Sequence, residues 1–302
     1  MREFAGKIAF ITGGASGAGL GQARVFGRAG CRIVIADIRR SAIDEALELL
    51  RSEGIEAHGI ELDITDRTAY AAAADEVEAV FGSAPQLLFN TAGVNSFGPL
   101  TAATYEDFDW VMGVNLQGVI NGIQTFLPRM IASGRDGHIV STASMAGFEG
   151  SPTAAIYSAS KAAVINLMES YALSLPAHGI GASVLCPASI KSNIAYAQQT
   201  RPAHLAANSG FRADPEFIAL QDQLYSGGMD PLVLAEHVKR GIEEDAVYIL
   251  PYPETRDGIE RHFRTILDSF ADPSVDPEGA RERALAFERY RAQAAALAGS
   301  GD

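Results

Sequence analysis

Cysteine is nearly absent. The 302 residues hold two, Cys31 and Cys186, too few for a disulfide framework, so a reducing, cytoplasmic setting is expected. No apolar run approaches the roughly 18 residues of a membrane span. The stretch from Met1 to Ile11 is too short for a signal peptide, so neither membrane nor secretion is expected. Cations are also scarce. Against 24 Lys+Arg stand 37 Asp+Glu, a net charge of −13, which argues against nucleic acid as a partner because phosphate neutralisation needs clustered cations. The six histidines (His58, His138, His178, His204, His237, His262) show no metal-ligand spacing, so no metal site is expected. No internal repeat is present. Hydrophobic residues make up 47% and charged residues 20%, an ordinary globular balance. Length alone suggests about two domains.

The first 190 or so residues alternate short β-branched runs with longer Ala/Leu-rich stretches. Lys7–Thr12, Arg32–Ala36, Glu56–Leu62, Gln86–Asn90, Gly137–Thr142 and Ile180–Cys186 read as strands. They are continuously apolar, as strands buried on both faces are. Leu20–Ala29, Ala42–Glu53, Arg67–Phe81, Tyr105–Ile131 and Ala155–Pro176 read as helices between them. This alternation predicts right-handed βαβ crossovers and an α/β fold, a Rossmann-type doubly wound parallel sheet. From Ala188 to Asp230 the pattern breaks around Pro202, Gly210, Pro215, Gly227 and Gly228, so an irregular lid is expected there. A helix (Leu232–Glu243), a strand (Val247–Leu250) and two further helices (Glu254–Phe270, Pro277–Ala298) follow. The Ala-rich end, Ala292–Ala298, reads as helix or frayed tail.

Thirty glycines matter by position. Thr12-Gly13-Gly14-Ala15-Ser16-Gly17-Ala18-Gly19 joins the first strand to the first helix. Such a turn lets a pyrophosphate reach backbone N–H groups at a helix N-terminus. Asp37 ends the second strand, where a carboxylate accepts hydrogen bonds from an adenosine ribose and repels a 2′-phosphate, favouring NAD over NADP. Arg39 and Arg40 follow it and read as solvated helix-start residues. Asp63 after the third strand faces the adenine edge. Asn90, Ala92 and Gly93 after the fourth bring backbone close to the cofactor. Ile38 and Ile64 flank these positions.

Tyr157 and Lys161 stand four apart in a predicted helix, on one face. Ser144 lies just beyond the fifth strand, and Asn115 inside the long preceding helix. Removing a hydroxyl proton while hydride leaves needs a base poised near its working pH. A phenol starts near ~10, so reaching ~7 needs about 4 kcal/mol. A cation about 4 Å away supplies about that at an effective dielectric of ~20, so Lys161 and a positively charged oxidised nicotinamide would together supply it. Ser144 would hold the substrate oxygen. Ser144 lacks the flanking glycines of a nucleophile elbow, with Thr142 and Ala146 there instead, which argues against a hydrolase.

Taken in order, Thr12–Gly19, Asp63, Asn90–Gly93, Asn115, Ser144, Tyr157, Lys161 and Pro187 resemble the classical short-chain dehydrogenase/reductase family. The resemblance implies a Tyr157 base, a Ser144 orienter, a Lys161 that binds the nicotinamide ribose, and an Asn115 that anchors a proton-relay water. It also implies cofactor contacts at Gly13, Ser16, Gly17, Ala18, Gly19, Pro187, Ile190 and Ser192. Departures from the pattern are Ala188 for glycine, Ser192 for threonine and Thr91 for asparagine. Further segments (Ala92–Pro99, Met130–Gly134, Ile190–Ala195, Tyr248–Phe263 and Asp276–Arg281) resemble the bacterial Cα-dehydrogenases of lignin β-aryl ether catabolism, most of all their R-selective branch. That resemblance implies NAD-dependent oxidation of a benzylic secondary alcohol in a guaiacylglycerol-β-guaiacyl ether-type dimer. Such a neutral aromatic alcohol needs a wide, mostly apolar pocket. Asn95, Phe97, Phe148, Asn193, Tyr196 and Tyr252 are the candidate substrate residues, Phe148 and Tyr252 foremost. Two alternatives stay open: a dehydrogenase for another bulky alcohol such as a steroid, a polyol or another aryl carbinol, and a non-catalytic NAD-binding regulator. Family resemblance also implies a homodimer or homotetramer built through the two long helices.

On this reading the chain is one unit, not two. Residues 1–187 form the cofactor and catalytic core, residues 188–230 the lid, and residues 231–302 a closing helix, strand and cap.

Overall fold

A computed structural model describes residues 1–211 and 215–299. Residues 212–214 of the expected lid and 300–302 of the expected cap lie outside the described residues. In chain order the elements are β1 (Ile8–Thr12), α1 (Gly17–Arg28), β2 (Arg32–Asp37), α2 (Arg40–Ser52), β3 (Ala57–Glu61) and α3 (Arg67–Phe81). Then come β4 (Leu87–Asn90), α4 (Tyr105–Met112), α5 (Gly118–Ala132), β5 (Gly137–Thr142), α6 (Ala155–Ser174) and β6 (Ile180–Leu185). Last are α7 (Ala203–Ala206), α8 (Pro215–Ser226), α9 (Pro231–Glu243), β7 (Tyr248–Ile249), α10 (Arg256–Asp268) and α11 (Pro277–Gly299).

The seven strands form one parallel sheet in the order β3-β2-β1-β4-β5-β6-β7. Successive strand residues point to opposite faces, so each apolar run feeds two cores. Ile8 and Phe10 of β1 join Val77 of α3, Phe126 of α5 and Met168 of α6 on one face. Ala9 and Ile11 join Phe26 of α1, Leu50 of α2 and Val238 of α9 on the other. A third, smaller cluster packs Val94, Trp110, Val111, Ile156, Ala197 and Phe211 beneath the lid. The order reverses between β1 and β4, and the strand ends there open the crevice where such sheets bind ligands.

Two expectations are corrected. The single helix expected over Tyr105–Ile131 is split by a π-helical turn, Gly113–Gln117, that carries Asn115. Apolar spacing alone does not register a one-residue change in hydrogen-bond register. The lid is not irregular either. It holds a 3₁₀ segment (Ile194–Thr200), α7 and α8, short helices whose mixed composition hides a 3.6-residue period.

Candidate active site

The glycine turn follows β1 directly. Gly13 takes φ +64°, and a Cβ there would sit 2.9 Å from the Ala92 Cα, so the turn closes only with glycine. A Cβ on Gly19 would overlap the Gly13 carbonyl oxygen, so α1 packs this tightly against the turn only without one. Helix α1 then starts at Gly17 with no acidic residue in its first turn, leaving its N–H groups available to an anion. This turn is one wall of a cavity of about 1320 Å³. Pockets for a single drug-sized ligand run about 300–1,000 Å³, so the space suits a dinucleotide and a second molecule.

Ser16, Gly17, Ala18 and Gly19 line the cavity, as do Asp37, Ile38, Asp63, Ile64, Ala92 and Gly93. Pro187, Ile190 and Ser192 close it from beyond β6. Asn90 does not line it. Its side chain is buried and donates to Ser141 Oγ at 3.1 Å, tying β4 to β5.

Arg39 departs from the solvated position expected. Its Nε and Nη2 donate to the two Asp37 oxygens at 3.0 and 3.2 Å, and Nη2 also donates to Ser16 Oγ at 3.0 Å. The Asp37 carboxylate holds the Arg39 pKa above its ordinary value despite the opposing effect of burial. Arg40 pairs with Asp44 on the open surface. The mouth of the nucleotide end is therefore a bridged acid–base pair rather than a bare acid.

The proposed catalytic side chains meet at the C-terminal ends of β4 and β5. Ser144, Tyr157 and Lys161 line the cavity together. Lys161 Nζ donates to the Thr142 carbonyl at 2.8 Å and lies 5.6 Å from the Tyr157 ring centre. Burial pushes Lys161 down to about 8. It pushes Tyr157 up to about 12, against the Ser144 hydroxyl, which favours the phenolate. With Lys161 alone beside it, the phenol is not drawn toward neutrality. Desolvation disfavours both ions at once, so a further positive charge in the pocket is needed.

Asn115 sits beneath the cavity wall, fully buried. Its Oδ1 accepts from Val94 N at 2.8 Å, and its Nδ2 donates to Val94 O at 2.9 Å and Ser160 Oγ at 3.1 Å. Both amide donors are spent on holding the β4 loop against α6. A Cβ at Gly93 would lie 3.3 Å from Asn115 Oδ1 and 3.4 Å from Lys161 Nζ, so the three residues converge.

Of the candidate substrate residues, Asn95, Phe97, Asn193 and Tyr196 line the cavity. Phe148 and Tyr252 do not, which corrects the two ranked first. Phe148 packs edge-on against Phe263 of α10, ring centres 6.3 Å apart. Tyr252 is buried and donates its hydroxyl to the Ser189 carbonyl at 2.5 Å, pinning the base of the lid. Each aromatic follows a strand, but its side chain turns away from the crevice, and sequence position does not encode that choice. Sequence reasoning also missed Tyr225 of α8, Trp110 of α4 and Leu205, which line the same cavity. Nothing in their spacing marks them.

The pattern of the short chain dehydrogenase family matches residues 7–203. The C alpha-dehydrogenase of Sphingobium sp. (strain NBRC 103272 / SYK-6) is 57% identical over 302 residues, covering 100% of this chain and 99% of that protein. The apo crystal structure of LigD from Sphingobium sp. strain SYK-6 matches at TM-score 0.76 and 54% identity, over 89% of this chain and 99% of that one. A short chain dehydrogenase/reductase from Burkholderia phymatum, solved in complex with NAD, matches at TM-score 0.82 and 34% identity, over 90% and 99%. Glycine turn, Ser144, Tyr157 and Lys161 thus fall inside one matched stretch and converge on one cavity: the chain belongs to the short chain dehydrogenase family.

Proposed function

We propose that this protein oxidises the benzylic (Cα) secondary alcohol of lignin β-aryl ether dimers to the ketone, passing hydride to NAD. The observation that carries the substrate class is the 57% identity to a C alpha-dehydrogenase over all 302 residues. That identity runs through the lid and cap, beyond residue 203 where the family pattern ends.

The cradle fits a dinucleotide: a glycine turn that only glycine can close, an open helix N-terminus and an acid at the β2 end. An oxidised nicotinamide bound there supplies a hydride acceptor and a positive charge. Tyr157 takes the carbinol proton, and Ser144 holds the carbinol oxygen while favouring the phenolate. Lys161 spends one of its three N–H donors on Thr142 and keeps two for a ribose. Asn115 positions Gly93 and Val94 around that lysine. The lid, residues 188–230, excludes water, and the chain acts as one unit with 231–302 as its cap. Free cysteines, both buried, accord with a cytoplasmic setting. The reading includes a homodimer or homotetramer, supported by the exposed Tyr105, Phe108, Ile131 and Leu173 on α4, α5 and α6. Sedimentation tests that assembly.

The decisive experiment is a spectrophotometric NADH assay on separated enantiomers of a guaiacylglycerol-type dimer. NADH formation is expected. Turnover of a steroid or polyol with none of the dimer would overturn the substrate reading.

A further inference from the structure

Two polar groups that line the cavity with Tyr157 have no ligand atom assigned to them: the candidate substrate residue Asn95 and Tyr225. Asn95, in the loop after β4, is 5% exposed and lines the cavity, yet its Oδ1 has no hydrogen-bond partner among the described residues. A buried, unpaired amide oxygen is costly, about 1–3 kcal/mol, unless a ligand pairs with it. Tyr225 of α8 lines the same cavity. Its hydroxyl faces the Asn95 amide, which favours the phenolate against burial. It also lies close enough to Tyr157 that its charge would raise the Tyr157 pKa.

We infer that Asn95 and Tyr225 form a second polar anchor that recognises a hydroxyl in 1,3 relation to the reacting carbinol, the hydroxymethyl group of a β-aryl ether dimer. This rests on the proposed function. The match is one of donors and acceptors. An alcohol has one O–H donor and two acceptor lone pairs. Its donor meets the unpaired Asn95 Oδ1, and one lone pair accepts from the Tyr225 O–H. A methoxy oxygen cannot satisfy Oδ1 because it has no proton to donate. The phenol hydroxyl lies across an aromatic ring from the carbinol carbon. The hydroxymethyl group is only two carbons away, and Asn95 and Tyr225 line the same cavity as the Tyr157 base and Ser144. Tyr225 belongs to the lid, so the contact also makes the lid read the substrate's side chain rather than its rings.

The test compares two dimers, one bearing the hydroxymethyl group and one with hydrogen in its place. The quantity is the ratio of their kcat/KM values in wild type, Tyr225→Phe, Asn95→Ser and the double variant. Melting temperature and NADH binding are followed in each to confirm folding. The ratio is expected to fall about tenfold in either single variant, chiefly through KM, with little further loss in the double variant because the two groups act as one. A ratio unchanged in both single variants overturns the anchor while leaving the proposed function standing. Failure of wild type to oxidise either dimer overturns both.

Discussion

A phenol buried at about 12 beside an ammonium buried at about 8 is a base held in reserve, and this sets the residue-scale expectations. Tyr157→Phe should cost about 10²–10⁴-fold in kcat while NADH fluorescence titration still shows binding. Ser144→Ala removes the hydroxyl that favours the phenolate, so the rising limb of kcat/KM with pH should move to higher pH. An unmoved limb would exclude that hydrogen bond. At the other end of the cavity, Asp37→Ser removes the ribose acceptor and frees Arg39, which now bridges Asp37 and Ser16. Hydrogen bonds to charged groups are worth about 1.5–3 kcal/mol. NAD should therefore lose roughly 10–100-fold in kcat/KM while NADP gains, and Asp37→Ser/Arg39→Ala should lose both. These side chains were legible in the sequence because chemistry fixes their spacing. Arg39 was misread because a short exposed run shows charge but not the partner that holds it.

Among the elements, the lid is latched by a buried ion pair. Arg201 Nη1 lies 2.7 Å from Asp107 Oδ1 of α4, with side chains 1% and 0% exposed. Its guanidinium lies 5.0 Å from the Trp110 ring centre. Burial pushes the Asp107 carboxyl up, but Ser209, the Thr104 backbone, Arg201 and the Gly210 backbone together hold it below its usual value. The native pKa is thus below the unfolded one. The stability it contributes is full above the ordinary carboxylate value and is lost as pH falls from there through the lowered native value. Breaking a buried pair from one side costs about 3–5 kcal/mol, more than a local segment is expected to bear. Arg201→Ala should therefore release the lid rather than unfold the sheet. Amide exchange across 194–211 should rise and KM for a dimer should increase, with α3 and α5 unchanged. Strands were readable because burial on both sheet faces forces apolar runs. The π turn, the lid helices and this latch were not, because each depends on contacts made after the sheet exists.

At the scale of the whole molecule, His138 links stability to pH. It sits in β5 at 1% exposure, 2.7 Å from Ser183 Oγ, and burial lowers its pKa from 6.5 to about 4. Unfolding lets it take up a proton that the native sheet refuses. Stability should therefore be full above about 6.5 and should fall by about 3 kcal/mol as pH drops to 4. The urea midpoint at pH 7 and pH 4.5 measures this, and His138→Gln should flatten the difference. The parallel sheet was legible at this scale from alternation alone. How far the cap leans on the rest was not, because the Phe148–Phe263 contact joins residues with no local signal. The lid also has a consequence in terms of linkage. Ile190, Ser192, Tyr196 and Tyr225 of the lid all line one cavity. A first ligand that fixes these side chains lowers the cost of fixing them for a second. The coupling must be reciprocal: whatever factor NADH adds to ketone affinity, the ketone must add to NADH affinity.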